Sequence, residues 1–241
     1  MKNCRDCNIV ITGNFCSNCG LPIEPKRIDR NYIVEEISSV LNFDKGFFYT
    51  VRELVLRPGD TAKSYIEGDR KKIVKPIFFL IICSLMYTIG KGFFSYDTGI
   101  IQYGISEGEE IPIIFKIFDW FSQNYGYANI LMATFIAMWI KFFFRKYNYN
   151  YYEIYILLCF VMGVSVLVYT LLGIIESLIG FQVLNFGVFV ALIYSSWAIG
   201  QFFDRKKKFN YLKSLLSYLL GFLTSFIIVV VIGNGLDNLF N

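Results

Sequence analysis

The chain of 241 residues is 55% hydrophobic and 19% aromatic, with 17% charged residues and a net charge of +4. A soluble domain carries about 25% charged residues, and the apolar residues here gather in long runs, so the composition excludes an ordinary soluble domain and points to an all-α polytopic membrane protein. Histidine is absent, which removes the usual general base, the commonest metal-ligand nitrogen and the usual near-neutral proton switch.

The chain begins MKNCRDCNIVITGNFCSNCG, and four of its six cysteines stand there as two pairs, Cys4/Cys7 and Cys16/Cys19. A C-x-x-C turn aims two thiolates at one point. Two such turns together predict a closed, tetrahedral structural zinc site with no position left open for catalysis. The residues between the pairs predict a β-hairpin, with 9–11 as one strand and Gly13-Asn14 as the turn. So small a piece buries no core of its own, and metal would supply its folding energy. Two disulfides in an exported head, or an iron–sulfur or redox site, are the competing readings of the same cysteines. The first apolar stretch, 9–11, is far too short for a signal peptide, so the head is expected to stay on the side where it is made.

Residues 1–21 are thus read as a zinc ribbon and 22–29 as a linker with two prolines. An interfacial, amphipathic region is expected over 30–72. Ile33, Val34, Ile37, Val40 and Leu41 recur at helical spacing, and Phe47, Phe48, Val51, Leu54 and Val55 repeat the pattern as one apolar face. Thr50 and Glu53 have capping-box spacing, though Thr50 fits a helix interior equally well. Arg57-Pro58-Gly59 should stop that helix, with Asp60 or Thr61 capping a short one that ends at Gly68.

Residues 73–241 form the expected membrane domain. Five runs are long and apolar enough to span, at about 76–94, 125–144, 154–175, 182–203 and 213–235. The first two need lysines that snorkel at their ends. Residues 113–121, interrupted by Lys116 and Asp119, read as a short interfacial helix. Residues 1–75, 141–153 and 204–213 hold 21 of the 23 basic residues. By the positive-inside rule this puts the N-terminus in the cytoplasm and the C-terminus outside. The cysteines would then face a reducing compartment, where zinc is the expected ligand partner. Cys83 and Cys159 lie in apolar runs and read as small core residues.

The pieces CRDC, CSNCG, KRI, FDKGFFYTVREL, RPG, SYIEGDRKK and KPIFFLII, between Cys4 and Ile82, resemble a bacterial family known as domain of unknown function 3667. The resemblance implies an N-terminal zinc ribbon, this amphipathic segment and a following set of membrane helices. It implies no activity.

Two basic groups invite a phosphate or lipid reading. Residues 67–76 (EGDRKKIVKP) place Arg70, Lys71, Lys72 and Lys75 just before the first span, where they could meet anionic lipid headgroups or serve as an ordinary positive-inside flank. Residues 205–208 offer the same choice. Glu53, Arg57, Asp60, Asp69 and Arg70 could form an acid–base or cation-binding cluster, although a charged helix face is the commoner origin of such a set. The last three spans carry no internal charge, which disfavours a proton- or voltage-driven machine. Their Ser165, Thr170, Asn185, Ser195, Ser196, Thr224 and Ser225, with Gly163 and Gly187, suit helix packing. Nothing here establishes a reaction. The expected role is a non-enzymatic scaffold, assembly or trafficking factor, with a lipid or solute carrier, a channel or a lipid-modifying protein as the alternative. Expected partners are membrane lipids, a cytoplasmic protein met through the ribbon, and a second copy of the chain; nucleic acid is not expected.

Overall fold

The computed structural model describes residues 2–3, 7, 10–11, 46–68, 70, 72–94, 96 and 112–240. Cys4, Cys16 and Cys19, the Gly13-Asn14 turn, the 22–29 linker, the stretch around Ile33, and Asp69 and Lys71 lie outside the described residues. The chain divides into two compact units, Met1–Asp44 and Lys45–Asn241.

In the first unit, β1 (Lys2–Asn3) and β2 (Val10–Ile11) pair antiparallel, Lys2 opposite Ile11 and Asn3 opposite Val10. β2 covers Val10–Ile11 of the strand expected at 9–11, and the partner described for it lies upstream of the first cysteine pair. Cys7 falls in the connection between the paired strands and is half-buried.

The second unit is helical. It comprises α1 (Phe47–Leu56), α2 (Pro58–Glu67), α3 (Pro76–Phe94), α4 (Ile113–Gln123), α5 (Tyr125–Phe143), a 3-10 turn (Arg145–Tyr147), α6 (Tyr151–Ile179), α7 (Leu184–Asp204) and α8 (Lys208–Phe240). Five helices are long and apolar enough to cross a membrane, over Pro76–Phe94, Gly126–Phe143, Tyr151–Ile179, Leu184–Asp204 and Lys208–Asp237. These are the five runs expected from hydropathy, with some ends displaced. The third starts earlier because Asn150 caps it: its side chain accepts the Glu153 N–H at 2.8 Å, and the Glu153 carboxylate accepts the Asn150 N–H at 2.7 Å. Glu176, at the other end, accepts the Leu184 N–H at 2.7 Å and so joins α6 to α7. Both carboxylates hold helix ends instead of standing free in solvent. The helix expected at 113–121 is α4. It lies on α8, with the Ile113 N–H donating to Asp237 Oδ1 at 2.7 Å and Phe118 stacked on Phe226.

Small residues let the long helices approach. α3 runs beside α6 in the same direction: Phe79 lies on Gly163, Gly90 faces Thr170, and the Ser177 hydroxyl donates to the Phe94 carbonyl at 2.7 Å. A Cβ at Gly163 would stand 2.6 Å from the Phe79 ring, so the contact exists only because that position is glycine. Gly221 meets the Ile136 backbone and Gly200 the Tyr211 ring. The Ser196 hydroxyl donates to the Tyr211 carbonyl at 2.7 Å, which ties α7 to α8. Ser165 and Thr170 turn back on their own helix, to the Val161 and Val166 carbonyls, whereas the buried Ser84 and Ser195 hydroxyls have no hydrogen-bond partner among the described residues. Phe79, Tyr87, Phe160 and Phe202 fill the centre, and Cys83 and Cys159 are buried beside them. Outward positions such as Ile81, Leu85, Ile193 and Phe222 are exposed apolar side chains, the surface a bundle offers to lipid.

Candidate functional site

The segment before the first span is built as a clamp. α1 turns Phe47, Thr50, Glu53 and Leu54 inward. Of the apolar face expected for it, Phe48 is 78% and Val55 50% exposed, while the polar Thr50 and Glu53 are buried. Phe47 and Leu54 of the expected face are buried as well, so the inward face keeps part of the apolar stripe and is shifted to take in two polar groups, each of which must find a partner there.

Each inward polar group has one. Thr50 is a helix-interior residue: its hydroxyl donates to the Gly46 carbonyl at 2.5 Å and accepts the Val74 N–H at 3.0 Å, which fixes the loop leading into α3. Glu53 Oε2 accepts from Arg57 Nη2 at 2.6 Å, with the carboxylate side chain 11% exposed and the arginine 61%. The Thr61 hydroxyl donates to the Arg57 carbonyl at 2.7 Å and covers the corner between the helices.

Pro58 opens α2, where its missing N–H costs nothing. The next donor, the Gly59 N–H, is satisfied by Gln201 Oε1 of α7 at 2.8 Å. Neither Asp60 nor Thr61 caps this helix, contrary to the sequence expectation; the cap comes from 142 residues away. The approach is backbone to backbone. A Cβ on Gly59 would lie 2.6 Å from the Gln201 carbonyl carbon and closer still to the Phe202 nitrogen. The Tyr194 hydroxyl donates to the Leu54 carbonyl at 3.0 Å and holds the end of α1. Gly68, at φ +123°, ends α2 in a backbone conformation that favours glycine.

At the far end of α2, Tyr65 packs edge-on against Phe160, which also touches Phe79. The Arg70 guanidinium lies over the Tyr65 ring and its Nε donates to the Tyr65 carbonyl at 3.2 Å. Burial pushes the Tyr65 hydroxyl pKa up, and the Arg70 charge pulls it part of the way back.

Of the proposed acidic and basic cluster, Asp69 lies outside the described residues. Glu53 and Arg57 pair, Arg70 lies on Tyr65, and Asp60 is exposed. Of the basic group before α3, Arg70, Lys72 and Lys75 are exposed, and the Lys75 ammonium lies over Phe78. Among the described residues no three metal-ligating side chains gather, and three of the four candidate zinc cysteines lie outside those residues. Sequence reading missed Gln201, Tyr194 and Phe160 as partners. Gln201 alone left a signal, as an amide inside an otherwise apolar run.

Residues 44–88 match the family described as Protein of unknown function (DUF3667). Over this segment, and not beyond it, the chain is similar to that family. No curated protein and no solved structure matches the chain. The matched DUF3667 residues take in α1, α2 and α3 as far as Thr88, which is the clamp and the helix it leads into. The cysteine pairs stand outside the match. The partners that complete the clamp, Phe160, Tyr194 and Gln201, also lie outside it, on α6 and α7.

Proposed function

We propose that this protein is a membrane scaffold with no reaction of its own, whose N-terminal head folds around one structural zinc and docks a cytoplasmic protein. The observation that carries the reading is the closure of the DUF3667 segment. A general acid or base must keep an atom directed at substrate, whereas Glu53 is held by Arg57, Thr50 by Gly46 and Val74, and the Gly59 N–H by Gln201. Polar residues joined in this way serve shape. The ribbon reading is supported by the cysteine spacing, and Cys4, Cys7, Cys16 and Cys19 would supply four thiolates to Zn. The head would then present Arg5, Asp6, Ser17 and Asn18 on rigid turns.

The test joins metal analysis to crosslinking in cells. Parent protein should carry one zinc per chain, and a Cys16→Ser, Cys19→Ser variant almost none. A photoreactive side chain in place of Arg5 or Ser17 should give a discrete adduct with the parent. The zinc-free variant should insert in the membrane normally and lose that adduct. Iron with visible absorbance, or two disulfides by mass, would end the zinc reading. A folded Glu53→Gln protein that loses function while the cysteine variant keeps it would end the scaffold reading.

A further inference from the structure

The loops 144–150 and 205–207, read separately in sequence as basic flanks, meet in the structure. A cavity of about 640 Å³ lies between them, within the roughly 300–1,000 Å³ typical of small-ligand sites. Arg145 and Lys146 of the 3-10 turn, Lys207, and Lys208 and Lys213 of α8 line it. No carboxylate does.

We propose that this cavity binds the phosphate of an anionic phospholipid headgroup. The inference goes beyond the scaffold reading and stands whether or not that reading holds. The positive-inside rule accounts for the sign of the two loops but does not require them to converge. Convergence sets like charges against one another, and an anion relieves that repulsion. Asp204 offsets only one of the five, pairing with Lys207 at 3.1 Å. Among the described residues, Arg145, Lys146, Lys208 and Lys213 have no carboxylate partner.

The α8 N-terminus adds to the excess. Its first turn has no acidic residue and begins with a lysine, although that end of a helix carries about half a positive charge and favours an anion.

The walls are fixed by contacts that do not involve the four unpaired cations. Asn210 Nδ2 donates to the Tyr147 hydroxyl at 2.9 Å and lies 3.4 Å from the Asp204 carbonyl. Phe144 and Phe203 stack at 4.0 Å, with Tyr147 against the same ring. The cations thus stand on a prearranged frame. Arg145 supplies a planar fork that matches phosphate oxygens, and the lysines supply point charges.

The rim argues for a lipid source over free phosphate. Phe142 and Phe209 are 61% and 63% exposed. They lie at the ends of two candidate spans, the level at which headgroups sit and aromatic side chains anchor.

The test uses full-length protein in a nonionic detergent, with binding followed by native mass spectrometry and calorimetry. The probes are short-chain phosphatidylglycerol, short-chain phosphatidylcholine and inorganic phosphate. Phosphatidylglycerol should bind saturably and phosphatidylcholine should not. Lys208→Gln with Lys213→Gln should weaken phosphatidylglycerol about 25-fold, at about fivefold per charge. Arg145→Gln with Lys146→Gln, on the opposite wall, should weaken it similarly, so a folding defect in one pair leaves the other decisive. Arg52→Gln with Lys116→Gln changes net charge equally away from the cavity and should cost less than about twofold. Equal loss in the distant pair, equal retention of phosphatidylcholine, or inorganic phosphate binding as tightly as the lipid would each overturn the proposal.

Discussion

Gly59→Ala is the sharpest perturbation of the clamp, because one methyl group is set against backbone on the facing helix. The new Cβ would stand 2.6 Å from the Gln201 carbonyl carbon and 2.9 Å from its Cβ. Backbone atoms of a packed helix cannot swing aside as a side-chain tip can, so α2 must retreat from α7. Retreat also stretches the 2.8 Å bond from the Gly59 N–H to Gln201. Overpacking costs about 1–3 kcal/mol, and a buried donor left unmade costs about 1–3 kcal/mol. The helix propensity gained by alanine returns at most about 1 kcal/mol. The net expectation is a loss of about 1–5 kcal/mol, or a fall in Tm on the order of 10 °C. Gly92→Ala is the matched control, since nothing lies within 4 Å of a Cβ there; it should be neutral or stabilising by up to about 1 kcal/mol. Thermal unfolding of the two variants in one detergent decides the matter. A Gly59→Ala protein that melts with the parent would refute the backbone seating of α2 on α7.

In the same assay, Arg57→Ala should cost about 1.5–3 kcal/mol by removing a charge-assisted bond from the buried Glu53 carboxylate. Adding Glu53→Gln should then cost little more, and strict additivity would show that the pair does not couple. Trypsin should cut after Lys26 or Arg27, beside the prolines of the expected linker, well before it cuts after Arg52 on α1; equal rates would mean that α1 is loose. If the orientation expected from the basic residues holds, a cysteine in place of Glu109 should label from outside, and one in place of Lys207 only from inside. The opposite pattern would remove the argument for a reducing environment around the cysteine pairs.

The five long helices were legible because crossing a bilayer demands about twenty apolar residues, a signal that needs no partner. Their ends were less legible: the start of α6 is set by Asn150 and Glu153, which hydropathy does not register. The inward face of α1 was legible in part: Phe47 and Leu54 are buried as periodicity expects, but Phe48 and Val55 face out and the polar Thr50 and Glu53 face in. The proposed phosphate cavity was visible only as two separate basic loops, since nothing in either one points to the other. Gln201 stood out as an amide in an apolar run, but its partner lay too far along the chain for spacing to reveal. The convergence of Phe79 and Tyr65 on Phe160 was hidden for the same reason.

That long separation also bears on how the protein is made. The DUF3667 segment is synthesised before every helix that completes its clamp. Gln201 follows its partner Gly59 by 142 positions, roughly 7–30 s of synthesis at 5–20 residues per second. For that interval the Gly59 N–H at the open end of α2 and the Leu54 carbonyl have no α7 to close on, and only water or the bilayer surface can satisfy them. α1 and α2 are thus early to be made and late to be placed. A ribosome stalled before α7 would leave an amphipathic hairpin exposed on an inserted chain, the kind of surface that chaperones bind and membrane proteases cut.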